Sequence, residues 1–122
     1  MKDNNVVKTK SYDFALRIIK LYQYIVVEKK EYTLSKQILR SGTSIGANIE
    51  EAIGGQSKKD FVAKLSISYK EARETHYWLR LLTDTGYISN GLSASLLNDC
   101  EELLKIIGSI IKTIKSSNNS NS

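Results

Sequence analysis

Three groups of residues in this 122-residue sequence have the types and spacing to do chemistry. The first is the small-residue stretch RSGTSIGANIEEAIGG at 40–55, where Gly42, Gly46, Gly54 and Gly55 could form a phosphate-cradling loop. The second is Glu71, Glu74 and His76, candidate ligands for a metal or partners in proton transfer. The third is Lys59, Lys70, Arg73, Tyr77 and Arg80, cations interleaved with an aromatic.

The phosphate-loop reading fails on its particulars. No strand precedes the stretch, no Gly-Lys-Ser/Thr ends it, and the spacing matches neither nucleotide fingerprint. Leu34, Ile38, Ile45, Ile49 and Ile53 instead keep a helical beat straight through Gly42 and Gly46. Each glycine costs a helix about 1 kcal/mol relative to Ala. Four residues apart on one face, with Ser41, Ser44 and Ala47 nearby, the two glycines offer a bare surface that a neighbouring helix can approach closely.

The carboxylates fare little better. Di-metal bundle sites use Glu-x-x-His on two helices and Glu on two more. Here there is one His and no Glu-x-x-His, so no metal or cofactor is expected. Cys100 falls on an apolar stripe and reads as a small core residue rather than a thiolate. No nucleophile has a base beside it in sequence, and the expectation is a protein that is not an enzyme.

The third group has a geometric basis. At 100° per residue, Lys59, Lys70, Arg73, Tyr77 and Arg80 share one helical stripe. Cations with an interleaved aromatic suit phosphate contacts plus base stacking. The plainer reading is a solvated face tied by Lys70–Glu74 and Arg80–Asp84 pairs at i,i+4.

Four helices must position these residues, at about 11–30, 33–54, 57–84 and 93–115. Ser11 and Thr33 are candidate caps for the first two, and Gly54-Gly55 ends the second. Ser57 with Asp60 forms a capping-box variant for the third, which Gly86 ends. Phe14, Ile18, Leu21, Tyr22 and Ile25 make the first core stripe, widened by Ala15, Ile19 and Val26. Phe61, Leu65, Ala72, Leu79 and Leu82 make the third. On the fourth, Leu96, Cys100, Leu103, Ile107, Ile110 and Ile114 form the stripe. Leu97, Leu104 and Ile111 widen it, which marks either the most buried helix or a face shared with another copy. The chain contains no Pro, as a largely helical protein allows. The expected fold is all-α, an antiparallel up-down-up-down four-helix bundle. Residues 1–10 are expected as a flexible basic arm and 116–122 as a disordered polar tail.

The formal net charge is +5. It is concentrated in 1–10, where Lys2, Lys8 and Lys10 oppose Asp3, and in 57–84, where six basic side chains oppose four acidic ones. Such an excess permits a polyanionic partner without requiring one. A lone Cys and the absence of a signal-like or membrane-length apolar run fit a cytoplasmic protein.

SIGANIEEAIGG (44–55), SKKDFVAKLSISYKEARETHYWLRLL (57–82) and TGYIS (85–89) closely resemble the four-helix bundle protein family, also called the 23S rRNA-intervening-sequence protein family. Its pattern is matched by Arg40, Ser44, Ile45, Asn48, Ile49, Lys59, Asp60 and Phe61. One departure is Glu50-Glu51-Ala52, where many members read Ala-Glu-Gly. The resemblance covers roughly 11–115 and implies a small bacterial protein, an antiparallel bundle and a homopentamer with a central channel. The fold is also similar to that of the accessory variability determinant of diversity-generating retroelements, a basic pentamer that binds nucleic acid and a reverse transcriptase. No catalytic residues come with the resemblance.

Arg40, Ser44 and Asn48 lie at steps of four. Ser44 and Asn48 are expected to make a buried polar contact between helices, the rival reading being a ligand-facing patch. The functional expectation is a non-enzymatic homo-oligomer that holds RNA or DNA backbone through Lys59, Lys70, Arg73, Tyr77 and Arg80, assisted by Lys8 and Lys10. The alternative is a protein–protein scaffold that binds no nucleic acid.

Overall fold

The apolar periodicity is realised as four helices in a computed structural model that describes residues 2–120. They are α1 (Lys2–Tyr24), α2 (Leu34–Ile53), α3 (Lys58–Asp84) and α4 (Asn90–Ser120). Short joints make neighbours antiparallel. α1 packs on α2 and α4, and so does α3, which places α1 and α3 at diagonal corners of the bundle. Phe14, Ile18, Ile38, Ile45, Ile49, Leu65, Leu79, Leu96, Leu103 and Ile107 fill the space between them. Two residues expected in the core, Ile19 and Ile53, sit at its rim and are each 38% exposed.

The close approach expected at the glycines belongs to α1. A Cβ added at Gly42 would lie 2.8 Å from both Cγ1 and Cγ2 of Ile18, and one at Gly46 would lie 3.3 Å from Ser11 Oγ. Ser11 is therefore no helix cap. It is buried inside α1, and its hydroxyl donates to the Lys8 carbonyl at 3.1 Å.

The flexible arm expected at 1–10 is instead helical from Lys2. Val7 stands seven residues before Phe14 on the same stripe and is 1% exposed, so burying it extends the helix backwards. Met1 lies outside the described residues. At the other end α4 continues to Ser120, through most of the segment expected to be disordered. No Gly or Pro after Gly108 interrupts it. Residues 121–122 lie outside the described residues.

α1 ends in a π-helical stretch, Ile25–Lys29, closed by Lys30 at φ 54°. Thr33 makes no side-chain cap. Glu31 does that work: its carboxylate accepts the N–H groups of Thr33, Leu34 and Ser35 at 2.8–2.9 Å, and its carbonyl accepts the Ser35 hydroxyl. An anion here satisfies orphan donors and complements the helix dipole. The Ser57 cap is as expected, its hydroxyl oxygen accepting from Asp60 N–H at 3.1 Å. Gly86, at φ 84°, closes α3 in a Schellman motif, with Tyr87 N–H donating to the Leu82 carbonyl and Gly86 N–H to that of Thr83.

Gly42→Ala should destabilise the fold by about 1–3 kcal/mol through overpacking, although helix propensity alone would favour Ala by about 1 kcal/mol. In urea denaturation, combining it with Ile18→Ala should cost less than the two changes summed, because the methyl then has room.

Glu31 carries a pH signature. Burial pushes its carboxyl up, and the three backbone donors outweigh that and hold it below the ordinary 4.5. A folded pKa below the unfolded one gives stability that is full above about 4.5 and lost as pH falls through the folded value. Glu31→Gln should therefore cost about 1 kcal/mol at neutral pH. The deficit against the parent should narrow when urea melts are repeated in acid.

Candidate nucleic-acid interface

α3 presents its core stripe inward through Leu65, Ser68, Ala72, Thr75 and Leu79, so the opposite face is fixed towards solvent. Lys59, Lys70, Arg73, Tyr77 and Arg80 all lie on that outer side and are exposed. The described ion pairs involve Lys10, Arg17, Arg40, Lys64 and His76, and none involves a cation of this stripe. The Lys70–Glu74 and Arg80–Asp84 pairs of the plainer reading do not form among the described residues.

Glu74 is engaged elsewhere. Its carboxylate accepts from Trp78 Nε1 at 3.0 Å and from the Arg40 guanidinium, which also reaches Glu71 at 3.0 Å. The Trp78 bond is the main influence holding the Glu74 carboxyl below its usual range; burial opposes it and Arg40 adds to it. Arg40 on α2 thereby offsets one of the two negative charges that Glu71 and Glu74 bring to the border of the stripe, and the charge of Lys70 also favours the ionised Glu74. Spacing singled out Glu71 and Glu74 as candidate ligands and missed their pairing with Arg40 and Trp78, because the Arg40 contact depends on which faces of α2 and α3 meet.

The stripe has a groove beside it. Arg73, His76, Tyr77 and Arg80 of α3 and Leu104 of α4 line a depression of about 350 Å³. The Arg80 guanidinium stands 5.9 Å from the Tyr77 ring centroid, and Tyr77 meets Trp78 edge to face at 5.1 Å. His76 Nε2 lies 3.6 Å from Glu101 of α4 at the groove margin.

The N-terminal lysines are not brought to this surface. Lys10 reaches across to α4 and pairs with Glu102 at 2.6 Å. That hydrogen bond, with the carboxylate charge, raises the lysine's pKa. Lys8 is exposed on α1 beside Asn5, Thr9, Tyr12 and Glu50. Both sit on the helix diagonal to α3. The Lys2 side chain lies outside the described residues.

The small-residue motif divides in two. Gly42 and Gly46 are buried under α1, whereas Ser44 and Asn48 are half-buried and do not bridge helices. Asn48 Nδ2 donates to the Ser44 carbonyl at 2.8 Å, and Ser44 Oγ donates to the Arg40 carbonyl at 2.6 Å, both within α2. The polar contacts that cross between helices are made by smaller side chains. Ser68 Oγ donates to the Ile45 carbonyl at 2.8 Å, and Thr75 Oγ1 donates to Ser41 Oγ at 2.9 Å. Hydroxyls fit there because each has a single proton to place, where a buried amide has two donors and an acceptor to satisfy.

Cys100 lies in the core, its Sγ donating to the Ala72 carbonyl at 3.2 Å. Burial, with the charges of Glu101 and Asp99, pushes the thiol up to about 12, so it is protonated at neutral pH. Among the described residues no group of three or more His, Cys, Asp and Glu could hold a metal ion. Nor is any helix long and apolar enough to cross a membrane.

The class these features define is an all-helical antiparallel four-helix bundle with an unpaired basic stripe on one outer helix. The sequence pattern of the 23S rRNA-intervening sequence protein matches residues 3–109, and the chain belongs to that family. A solved structure agrees in sequence and shape: a protein of unknown function from the S23 ribosomal protein family of Bacteroides thetaiotaomicron. It was determined by crystallography at 1.70 Å and is 56% identical, with a TM-score of 0.89 over 90% of this chain and 98% of its own. No curated protein matches the chain.

The polar contacts give a test. Ser68→Ala should cost about 1 kcal/mol by removing an interhelical hydrogen bond. Asn48→Ala should change the stability of the single chain by no more than about 0.5 kcal/mol, as at other surface sites. Thermal unfolding checks both, and a large loss at Asn48 would assign it a contact outside its own chain.

Proposed function

We propose that this chain is a non-enzymatic, cytoplasmic, homo-oligomeric module that holds nucleic-acid backbone along α3. The observation that carries the reading is the state of the stripe. Lys59, Lys70, Arg73 and Arg80 lie on one exposed face of α3 with Tyr77, and no described carboxylate is within 4.0 Å of any of these cations. Such cations can turn to phosphate without breaking an ion pair, and a phosphate strand that binds them releases its counterions. The family's association with 23S rRNA genes is in keeping with a nucleic-acid partner. Contacts of this kind read no base edges, and little sequence preference is expected.

Self-association is supported by α1. Tyr12, Leu16 and Ile19 recur at steps of four and three and are 59%, 45% and 38% exposed. This bare apolar strip, rather than the half-buried Leu97, Leu104 and Ile111 of α4, is the surface a second copy would cover. A ring of five, as the family resemblance implies, would repeat the α3 stripe and multiply its modest field. The same strip favours a second reading, a protein–protein scaffold that uses α1 and leaves α3 solvated.

Fluorescence anisotropy with labelled RNA and DNA at two salt concentrations separates the readings, after light scattering has fixed the mass of the assembly. Binding should weaken steeply with salt. Arg73→Glu should reduce affinity about tenfold or more and lower the salt slope by about 1. An oligomer of defined mass that binds neither nucleic acid at low salt would leave the scaffold.

A further inference from the structure

We infer that the groove between α3 and α4 receives an unpaired nucleobase, so that the strand this protein holds is single-stranded; the inference rests on the backbone-binding reading above. Phosphate contacts alone would give no preference for a single strand, because a duplex has the higher charge density. The groove adds something a duplex cannot use.

Tyr77 stands on the outward side of α3, 47% exposed, between Arg73 one turn before and Arg80 one turn after. Its ring is oriented from behind. Trp78 packs edge to face against it, and Trp78 is itself tied to Glu74, which Arg40 holds from α2. An exposed aromatic anchored through a chain of directed contacts has little rotamer freedom left to lose on binding. Arg80 lies 5.9 Å from the ring, so cation and π-face are presented together.

Leu104 supplies the facing wall from α4. It belongs to the extra apolar row that widens the α4 face beyond its inward stripe, and it is only half-buried. A groove of about 350 Å³ with an aromatic on one side, an aliphatic on the other and guanidinium groups at its edge has the chemistry of a base slot flanked by phosphate sites. Every base has a π-face, so such a slot is tolerant of sequence. In a duplex those faces are hidden in the stack, and Tyr77 gains nothing.

The test uses the full chain with three labelled probes of matched length: oligouridine, oligodeoxythymidine and a blunt RNA duplex. Both single strands should bind more tightly than the duplex. Tyr77→Leu should weaken single-strand binding about tenfold, the loss expected for one base–aromatic stack. It should weaken duplex binding less than single-strand binding, while Tyr77→Phe retains parental affinity for single strands and circular dichroism shows both variants folded. If Tyr77→Leu binds single strands as the parent does while Arg73→Glu loses them, the base slot is overturned and backbone binding stands. If no probe binds the parent, both fall together.

Discussion

Close packing along α2, the helix on which both α1 and α3 rest, sets the rest of the bundle, and at Gly42 its bare face takes Ile18 directly. A side chain at Gly42 would hold α1 away, and one at Gly46 would crowd Ser11. α2 gives up helix propensity at two positions, and the loss is offset by close packing along α1. On the other flank of α2, Ser68 and Thr75 of α3 find their partners at the Ile45 carbonyl and Ser41, and the outward face of α3 follows from that seam. Bare glycines on one side and small hydroxyls on the other thus seat two helices on α2.

The electrostatics are divided in a similar way. On the α1–α4 and α2–α3 seams, cations and carboxylates meet: Lys10 with Glu102, Arg17 with Asp99, Arg40 with Glu71 and Glu74. Individually such half-exposed pairs contribute little to stability. Their effect on the surface is local: on the α2–α3 seam Arg40 offsets part of the charge of Glu71 and Glu74 beside the α3 stripe. The modest formal charge of the chain is therefore a poor guide to its local potential.

Much of the fold was legible in sequence, because the 3.6-residue beat of Ile and Leu is strong from Phe14 to Ile110. The departures have physical causes. Lys2 to Lys10 looked like an arm because polar residues dominate it, yet Val7 keeps step with Phe14 and Leu21, and one buried apolar side chain drew the segment into the helix. Thr33 stood in the usual capping position but was displaced by Glu31, whose longer side chain and charge satisfy three donors where a hydroxyl satisfies one. The stripe on α3 was legible from spacing, since it lies on a single helix. The partners of Arg40, Lys10 and Glu74 were not, because each is fixed by the meeting of two faces far apart in sequence. Leu104 was visible as a surplus apolar residue, and only the packing of α4 against α3 gave it a place beside Tyr77.

The diagonal placement of α1 and α3 separates two properties of one small chain. The apolar strip of α1 and the charged stripe of α3 share no helix and no seam. Change at Tyr12, Leu16 or Ile19 alters the exposed apolar strip without moving a cation, and change at Lys70 or Arg73 alters the charged surface without touching that strip. Descendants of such a protein are free to vary the two surfaces independently, within a core that tolerates neither a larger residue at Gly42 nor a polar one at Ile18.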